Sequence, residues 1–219
     1  MIITFDGNVF VGKTSLIKEL ASLYDFNIIP EQGFFIKGEI SSHAVTAEKQ
    51  AIFLQSKYLQ AENKRCLYIN TTKTNLLDRS FVSMAAHIFA LYLVNGIDIR
   101  DWFLNEIRRQ TELGQIIIPD IFCFIKCDHK IIKERADKNK DRDTDQVYFN
   151  EKYLDAIEIF NQAWIKRVNG VTLDTGVTLP VLLAEKLIKE ISSSALQHRF
   201  SSSQIIGYLQ EILMQKNIK

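Results

Sequence analysis

Eight residues near the amino terminus, Gly7-Asn8-Val9-Phe10-Val11-Gly12-Lys13-Thr14, constrain this chain more than any other segment. They satisfy the pattern G-x-x-x-x-G-K-[ST]. They lie between an apolar run at 2–5 and a stretch at 14–23 whose Leu16, Leu20 and Leu23 recur at helical spacing. A glycine loop joining a strand to a helix turns its backbone N–H groups around an anion, and the helix adds the positive end of its dipole. The segment therefore predicts a strand–loop–helix unit that cradles a polyphosphate. Gly7, Asn8, Val9, Phe10, Val11, Gly12, Lys13, Thr14 and Ser15 are its candidate nucleotide-binding residues. Lys13 is expected to reach the outer phosphates and Thr14 to place its hydroxyl on Mg²⁺, so ATP and Mg²⁺ are the expected cofactors. A chance match is the alternative, and it is weak in a chain with only 9 glycines.

The rest of the sequence alternates between two periodicities. Short apolar runs at 26–29, 75–77, 121–125 and 171–173 read as further strands. Helical patterns cover 81–94, 99–112, 128–138, 151–168 and 179–191. Another helix carries the stripe Ala47, Ala51, Leu54, Tyr58 and Ala61, with Thr46 as its expected cap; Asp98 is the expected cap of the helix at 99–112. Strands alternating with helices predict an α/β fold, here a five-stranded parallel sheet covered by helices on both faces. Ligands in such sheets sit beyond the carboxyl ends of the strands, which singles out Glu31, Asp78, Arg79 and the segment after Asp128. Residues 1–192 are read as one domain. A serine-containing loop then leads to an amphipathic helix at 204–215, so 193–219 is expected to be a helical extension packed on that domain.

Composition excludes several classes. Lys+Arg 27 against Asp+Glu 26 leaves a formal charge of +1, which gives no global attraction to nucleic acid or to an anionic membrane. Cys66, Cys123 and Cys127 lack metal-ligand spacing and fit a reducing, cytoplasmic location. The longest apolar stretch, 81–94, falls short of the roughly 18 residues of a membrane span.

Several spaced motifs resemble the thymidylate kinase and deoxynucleoside kinase group of P-loop kinases. They are Phe5-Asp6-Gly7-Asn8 with Gly12-Lys13-Thr14, Pro30-Glu31, Phe53-Leu54-Gln55 with Tyr58, and Asp78-Arg79-Ser80 with Ser83. Pro119-Asp120, Glu134-Arg135, Tyr153-Leu154 with Trp164, and Leu173-Asp174-Thr175 follow in order. The resemblance runs over about 2–191. It implies a three-layer P-loop nucleoside triphosphate hydrolase fold with an arginine-bearing lid at about 135–147, and a homodimer. Phe10 departs from the group, where glycine is common, and puts the local shape of the loop in question.

By this resemblance Lys13, Glu31, Arg79, Arg135 and Arg142 are the candidate catalytic residues. Glu31 would take the proton of an acceptor hydroxyl, and an exposed loop glutamate is the alternative. Arg135 and Arg142 would neutralise the transferring phosphoryl group from the lid; a solvated loop rich in both charges is the alternative. Arg79 would bind the acceptor and Asp78 would join Thr14 in orienting the metal, unless the two form a structural ion pair. Gln55 offers an acceptor and a donor to one base edge, and Phe34 and Tyr58 could stack on the base or belong to the core.

The expected activity is transfer of the γ-phosphate of ATP to a (deoxy)nucleoside 5′-hydroxyl or a nucleoside monophosphate. Pro30 stands where thymidylate kinases carry an arginine, and Arg65, the only arginine between Glu31 and Asn75, is expected at the far end of its helix. Both features lean towards a nucleoside. A thymidylate kinase proper, a kinase of another small hydroxyl compound and a regulatory P-loop NTPase are the alternatives.

Overall fold

The computed structural model describes residues 1–36, 45–138, 150–192 and 200–215. Five strands, β1 (Ile2–Asp6), β2 (Asn27–Ile29), β3 (Asn75–Asp78), β4 (Ile121–Lys126) and β5 (Val171–Asp174), form one parallel sheet in the order β2-β3-β1-β4-β5. This is the α/β architecture expected from the sequence. β4 is apolar on both sides, as a strand covered on both faces requires, whereas β1 buries Thr4 and Asp6 on one side. Ile3 and Phe5 of β1 and Ile121, Cys123 and Ile125 of β4 pack to one side, with Phe122 to the other.

Helices α1 (Lys13–Tyr24) and α7 (Pro180–Ser192) cover the first face, with Ile132 of α5 (His129–Lys138). The second face carries α2 (Glu48–Arg65), α3 (Phe81–Asn95), α4 (Arg100–Glu112), α6 (Glu151–Val168) and α8 (Ser202–Leu213). The order of strands reverses at β1, whose neighbours β3 and β4 are reached in opposite directions. A crevice opens at such a switch point, and the chain leaving β1 enters it as the glycine loop.

Four strands run one residue further than their apolar patterns. β1 takes in Asp6, β3 Asp78, β4 Lys126 and β5 Asp174, because the parallel ladder continues to Phe5↔Asp78, Asp6↔Phe124 and Lys126↔Asp174. The expected cap of α2 does not hold, and that of α4 holds in part, since Asp98 Oδ1 accepts from the Arg100 N–H at 3.2 Å from one position before the N-cap. Ala47 occupies the N-cap of α2 without a side-chain bond, and Thr46 instead donates from its N–H and hydroxyl to Gln50 Oε1, at 3.1 and 3.2 Å. Ile99 is the N-cap of α4, while Asp98 is held by the Arg100 guanidinium through two bonds of 2.8 Å.

Helix α8 starts two residues earlier than its stripe suggests, because Ser201 and Gln204 close a capping box. Ile205, Leu209, Ile212 and Leu213 are buried in the same cluster as Phe89, Phe103 and Phe160. Arg100 donates to the Leu213 carbonyl at 2.9 Å and pins the end of α8 to the start of α4. No helix among the described residues is long and apolar enough to cross a membrane. Leu209→Ala, which empties a fully buried position, should cost about 2–5 kcal/mol. Chemical denaturation should show the whole chain unfolding earlier in one transition; an unchanged midpoint would mean that α8 is not part of the core.

Candidate active site

The glycine loop has a backbone that few residues can adopt. Gly7 sits at φ 141°, where a Cβ would overlap the Ile125 carbonyl oxygen, and Gly12 sits at φ 95°. Phe10 has φ 57°, so it takes the left-handed conformation that glycine would take at lower cost. The penalty is roughly 1–2 kcal/mol. Its ring packs on the core beside α1, and its carbonyl accepts from Arg135 Nη1 at 3.2 Å. Thr175 Oγ1 donates to the Val11 carbonyl on the loop's other flank.

Lys13 opens α1 and folds back into the loop, donating to the Gly7 and Asn8 carbonyls at 3.2 and 2.6 Å. Burial and the neighbouring Arg79 push its ammonium down to about 7, against the pull of Asp78, Glu31 and Asp6. Thr14 Oγ1 donates to Asp78 Oδ2 at 3.0 Å. Asp78 Oδ1 is buried without a hydrogen-bond partner among the described residues. A hydroxyl and a carboxylate with one unused oxygen suit a hydrated Mg²⁺, which prefers oxygen donors and keeps several waters.

Two cavities open on either side of this centre. The first, about 610 Å³, has the glycine loop, Val9 and Ser15 included, as its floor; Arg135 and 175–180 form its wall. The second, about 230 Å³, lies between α2, α3 and α6 and is lined by Gln55, Tyr58, Met84, His87 and Tyr153. Val9, Glu31 and Arg79 line both. At this boundary Arg79, itself left-handed at φ 63°, pairs through Nε with Glu31 Oε2 at 3.3 Å and donates from Nη1 to the Gly7 carbonyl at 3.1 Å.

The structure thus brings together Lys13, Thr14, Glu31, Gln55, Tyr58, Asp78, Arg79 and Arg135. Gln55 is buried, and its Oε1 has no partner among the described residues. Burial pushes the Tyr58 phenol up. Arg135 donates to Thr175 Oγ1 and to the Thr175 carbonyl at 3.2 and 2.8 Å, which ties α5 to the loop. Phe34 is not brought in. It is 70% exposed and rests edge-on against Phe35, because a short 3₁₀ turn at Gln32–Phe35 directs it away from both cavities. Arg142 and most of the expected lid lie outside the described residues.

Sequence reasoning missed the groups that fix these side chains. Arg65 is wholly buried: it pairs with Glu62 at 2.6 Å and donates from Nη2 to the Asp78 and Arg79 carbonyls at 2.9 and 2.8 Å. Its signal was present, since position 65 continues the inward stripe 51, 54, 58, 61. Glu62 also accepts from Gln32 Nε2 at 2.6 Å. Asp6 accepts from the Ser80 N–H and hydroxyl, both at 2.9 Å, and from the Ser83 hydroxyl at 2.6 Å. His87 lines the second cavity; burial, aided by Arg79, lowers its imidazole to about 4.

The sequence pattern of the deoxynucleoside kinase family matches residues 3–196. The chain belongs to the deoxynucleoside kinase family. It is therefore a phosphotransferase, and its activity is ATP-dependent phosphorylation of deoxynucleosides or nucleotides. Among solved structures it is similar to deoxyadenosine kinase from M. mycoides with bound dATP, at TM-score 0.64 and 17% identity over 88% of this chain and 100% of that one. The same enzyme with bound dCTP gives TM-score 0.62 at 17% identity, again over 88% of this chain and 100% of that one. Thymidylate kinase from Candida albicans gives 0.59 at 15% identity, over 92% of this chain and 95% of that one. These likenesses are of fold. No curated protein matches the chain by sequence.

The depressed Lys13 ammonium makes triphosphate binding by this kinase pH-dependent. The free protein loses the Lys13 proton as pH rises through about 7, whereas bound phosphates hold it charged. The bound state therefore carries more protons above that pH, and affinity should fall as pH rises, by at most about tenfold per unit. Calorimetry in buffers of different ionisation enthalpy should detect proton uptake near pH 8. Lys13→Met should abolish the uptake; uptake persisting in that variant would assign it to another group.

Proposed function

We propose that this kinase transfers the γ-phosphate of ATP to the 5′-hydroxyl of a deoxynucleoside held in the smaller cavity. The observation that carries this reading is the shared boundary of the two cavities: Glu31 and Arg79 stand where a phosphate tail from one side would meet a hydroxyl from the other. When bound, ATP with Mg²⁺ supplies the phosphoryl group and part of the charge neutralisation. Lys13 leaves the loop carbonyls to hold the outer phosphates. Thr14 and Asp78 hold the metal and its waters. Glu31 accepts the proton of the attacking hydroxyl, and Arg79 neutralises the charge that develops between donor and acceptor. Arg135, next to the loop, serves the donor side, and Arg142 is its proposed partner in the lid.

A nucleoside is favoured over a monophosphate by charge. Among the described residues Arg79 is the one cation lining the acceptor cavity, since His87 is neutral and Arg65 is committed to Glu62 and two backbone carbonyls. A phosphate carrying close to two charges would enter that space with a single arginine to meet it, and this arginine already faces Glu31. Gln55 supplies an amide to the base edge, and Tyr58 a ring for it to pack on.

ADP formation should be followed with deoxyadenosine, deoxyguanosine, deoxycytidine, thymidine and their monophosphates. Turnover should be faster with at least one nucleoside than with any monophosphate; faster turnover with thymidine monophosphate would overturn the assignment. Glu31→Gln should lower kcat by roughly 10²–10⁴ with KM little changed, as expected for loss of a general base. Lys13→Ala should eliminate turnover with the fold intact by circular dichroism, and unchanged kinetics there would remove the donor site as well.

A further inference from the structure

Three residues lining the acceptor cavity carry a polar atom that is buried without a hydrogen-bond partner among the described residues. Asn8 Oδ1 belongs to the phosphate loop, Gln55 Oε1 comes from α2 and His87 Nε2 from α3. Much of the surrounding wall is apolar, including Leu54, Met84, Ala86 and Ile157. A buried donor or acceptor without a partner is unfavourable, and those of Gln55 and His87, on facing helices around one cavity, call for a ligand that carries the complementary groups.

His87 is not merely a core histidine, because its other nitrogen is already engaged. Nδ1 bonds to the Tyr153 hydroxyl from the first turn of α6, and the two rings meet edge-on with centroids 5.7 Å apart. A phenol is a stronger acid than a neutral imidazole N–H, and an imidazole nitrogen is a stronger base than a phenol oxygen. The favoured arrangement therefore has Tyr153 donating to Nδ1, which puts the ring proton on Nε2. Burial keeps the ring neutral at physiological pH.

We propose that His87 determines base preference, donating from Nε2 to a ring nitrogen or carbonyl oxygen of the acceptor base, with Tyr153 holding the imidazole in the tautomer that can donate. This inference rests on the nucleoside-acceptor reading above. Gln55 alone discriminates poorly, because one amide can rotate to match the donor–acceptor pair on any base edge. A donor on a second helix breaks that tolerance. A base placing a lone pair opposite Nε2 gains a bond, whereas one placing an amino group there meets donor with donor. Selection thus comes from a fixed group beyond the adaptable glutamine.

The test is the ratio of kcat/KM among deoxyadenosine, deoxyguanosine, deoxycytidine and thymidine for the wild type, His87→Leu, His87→Gln and Tyr153→Phe. His87→Leu should lower kcat/KM for the best substrate by about tenfold or more and compress the spread among the four. His87→Gln, whose amide nitrogen reaches close to the position of Nε2, should retain more of the spread than leucine does. Tyr153→Phe, which releases the tautomer, should fall between wild type and His87→Leu. The dissociation constant for ATP should stay the same in all three, which separates base reading from general damage. If leucine does not fold, glutamine and phenylalanine carry the comparison. Equal losses on all four nucleosides, or unaltered ratios, would overturn the inference and leave the acceptor assignment standing. A wild type that phosphorylates none of the four would remove that assignment first, and this inference with it.

Discussion

A buried carboxylate at the end of the central strand organises this site. Asp6 is 3% exposed and makes no salt bridge among the described residues; it is satisfied by donors, the Thr4 hydroxyl at 3.0 Å, the Ser80 N–H and hydroxyl, and the Ser83 hydroxyl. Burying a carboxylate is costly unless such bonds replace its water. Here they do, and the consequence is geometric. The end of β1, from which the phosphate loop departs, is bolted to the turn after β3, from which Asp78 and Arg79 project. The donor and acceptor halves of the site are thereby registered through one side chain.

The charges above that bolt are arranged around an absence of solvent. Arg79, Glu31 and Asp78 lie close enough to influence the Lys13 ammonium, and burial, with Arg79, outweighs the carboxylates. A lysine held near neutrality by desolvation recovers its charge when phosphates approach, so part of the binding energy is spent on a proton. The hydrogen bonds from Lys13 to the Gly7 and Asn8 carbonyls act in the same economy: they satisfy the group until a better acceptor replaces them.

The donor half was legible in the sequence because it is local. Gly7, Gly12, Lys13 and Thr14 are set by one loop, and the strand and helix beside it declare themselves by periodicity; Asp78 and Arg79 follow from the rule that strand ends carry ligands. What stayed hidden depends on distant segments meeting. Arg65, Glu62 and Gln32 form a network across a helix, a 3₁₀ turn and a strand end, and the pattern of α2 alone does not say that its last turn lies beneath Arg79. His87 was masked by the apolar run around it, which reads as core whatever a single imidazole does. Phe34 failed for the opposite reason, since a short turn has no periodicity from which a side-chain direction can be read. Thr46 and Asp98 are good capping residues, each one position too early; Gln50 claimed the first, while Asp98 accepts from both the Arg100 N–H and its guanidinium.

Arg65 also explains how a strained residue can be kept at the point of transfer. Arg79 holds φ 63°, at roughly 1–2 kcal/mol for a residue with a side chain. That strain orients its guanidinium back over Gly7 and against Glu31. The two bonds from Arg65 to the carbonyls of Asp78 and Arg79 are charge-assisted, and such bonds contribute roughly 1.5–3 kcal/mol each, enough to offset the strain. The buried Arg65–Glu62 pair need not stabilise the protein as a whole, because desolvation consumes much of its attraction. Its effect is on shape: a planar guanidinium reaching two successive carbonyls permits one backbone conformation at that turn, and a hydrophobic replacement of equal volume would permit several.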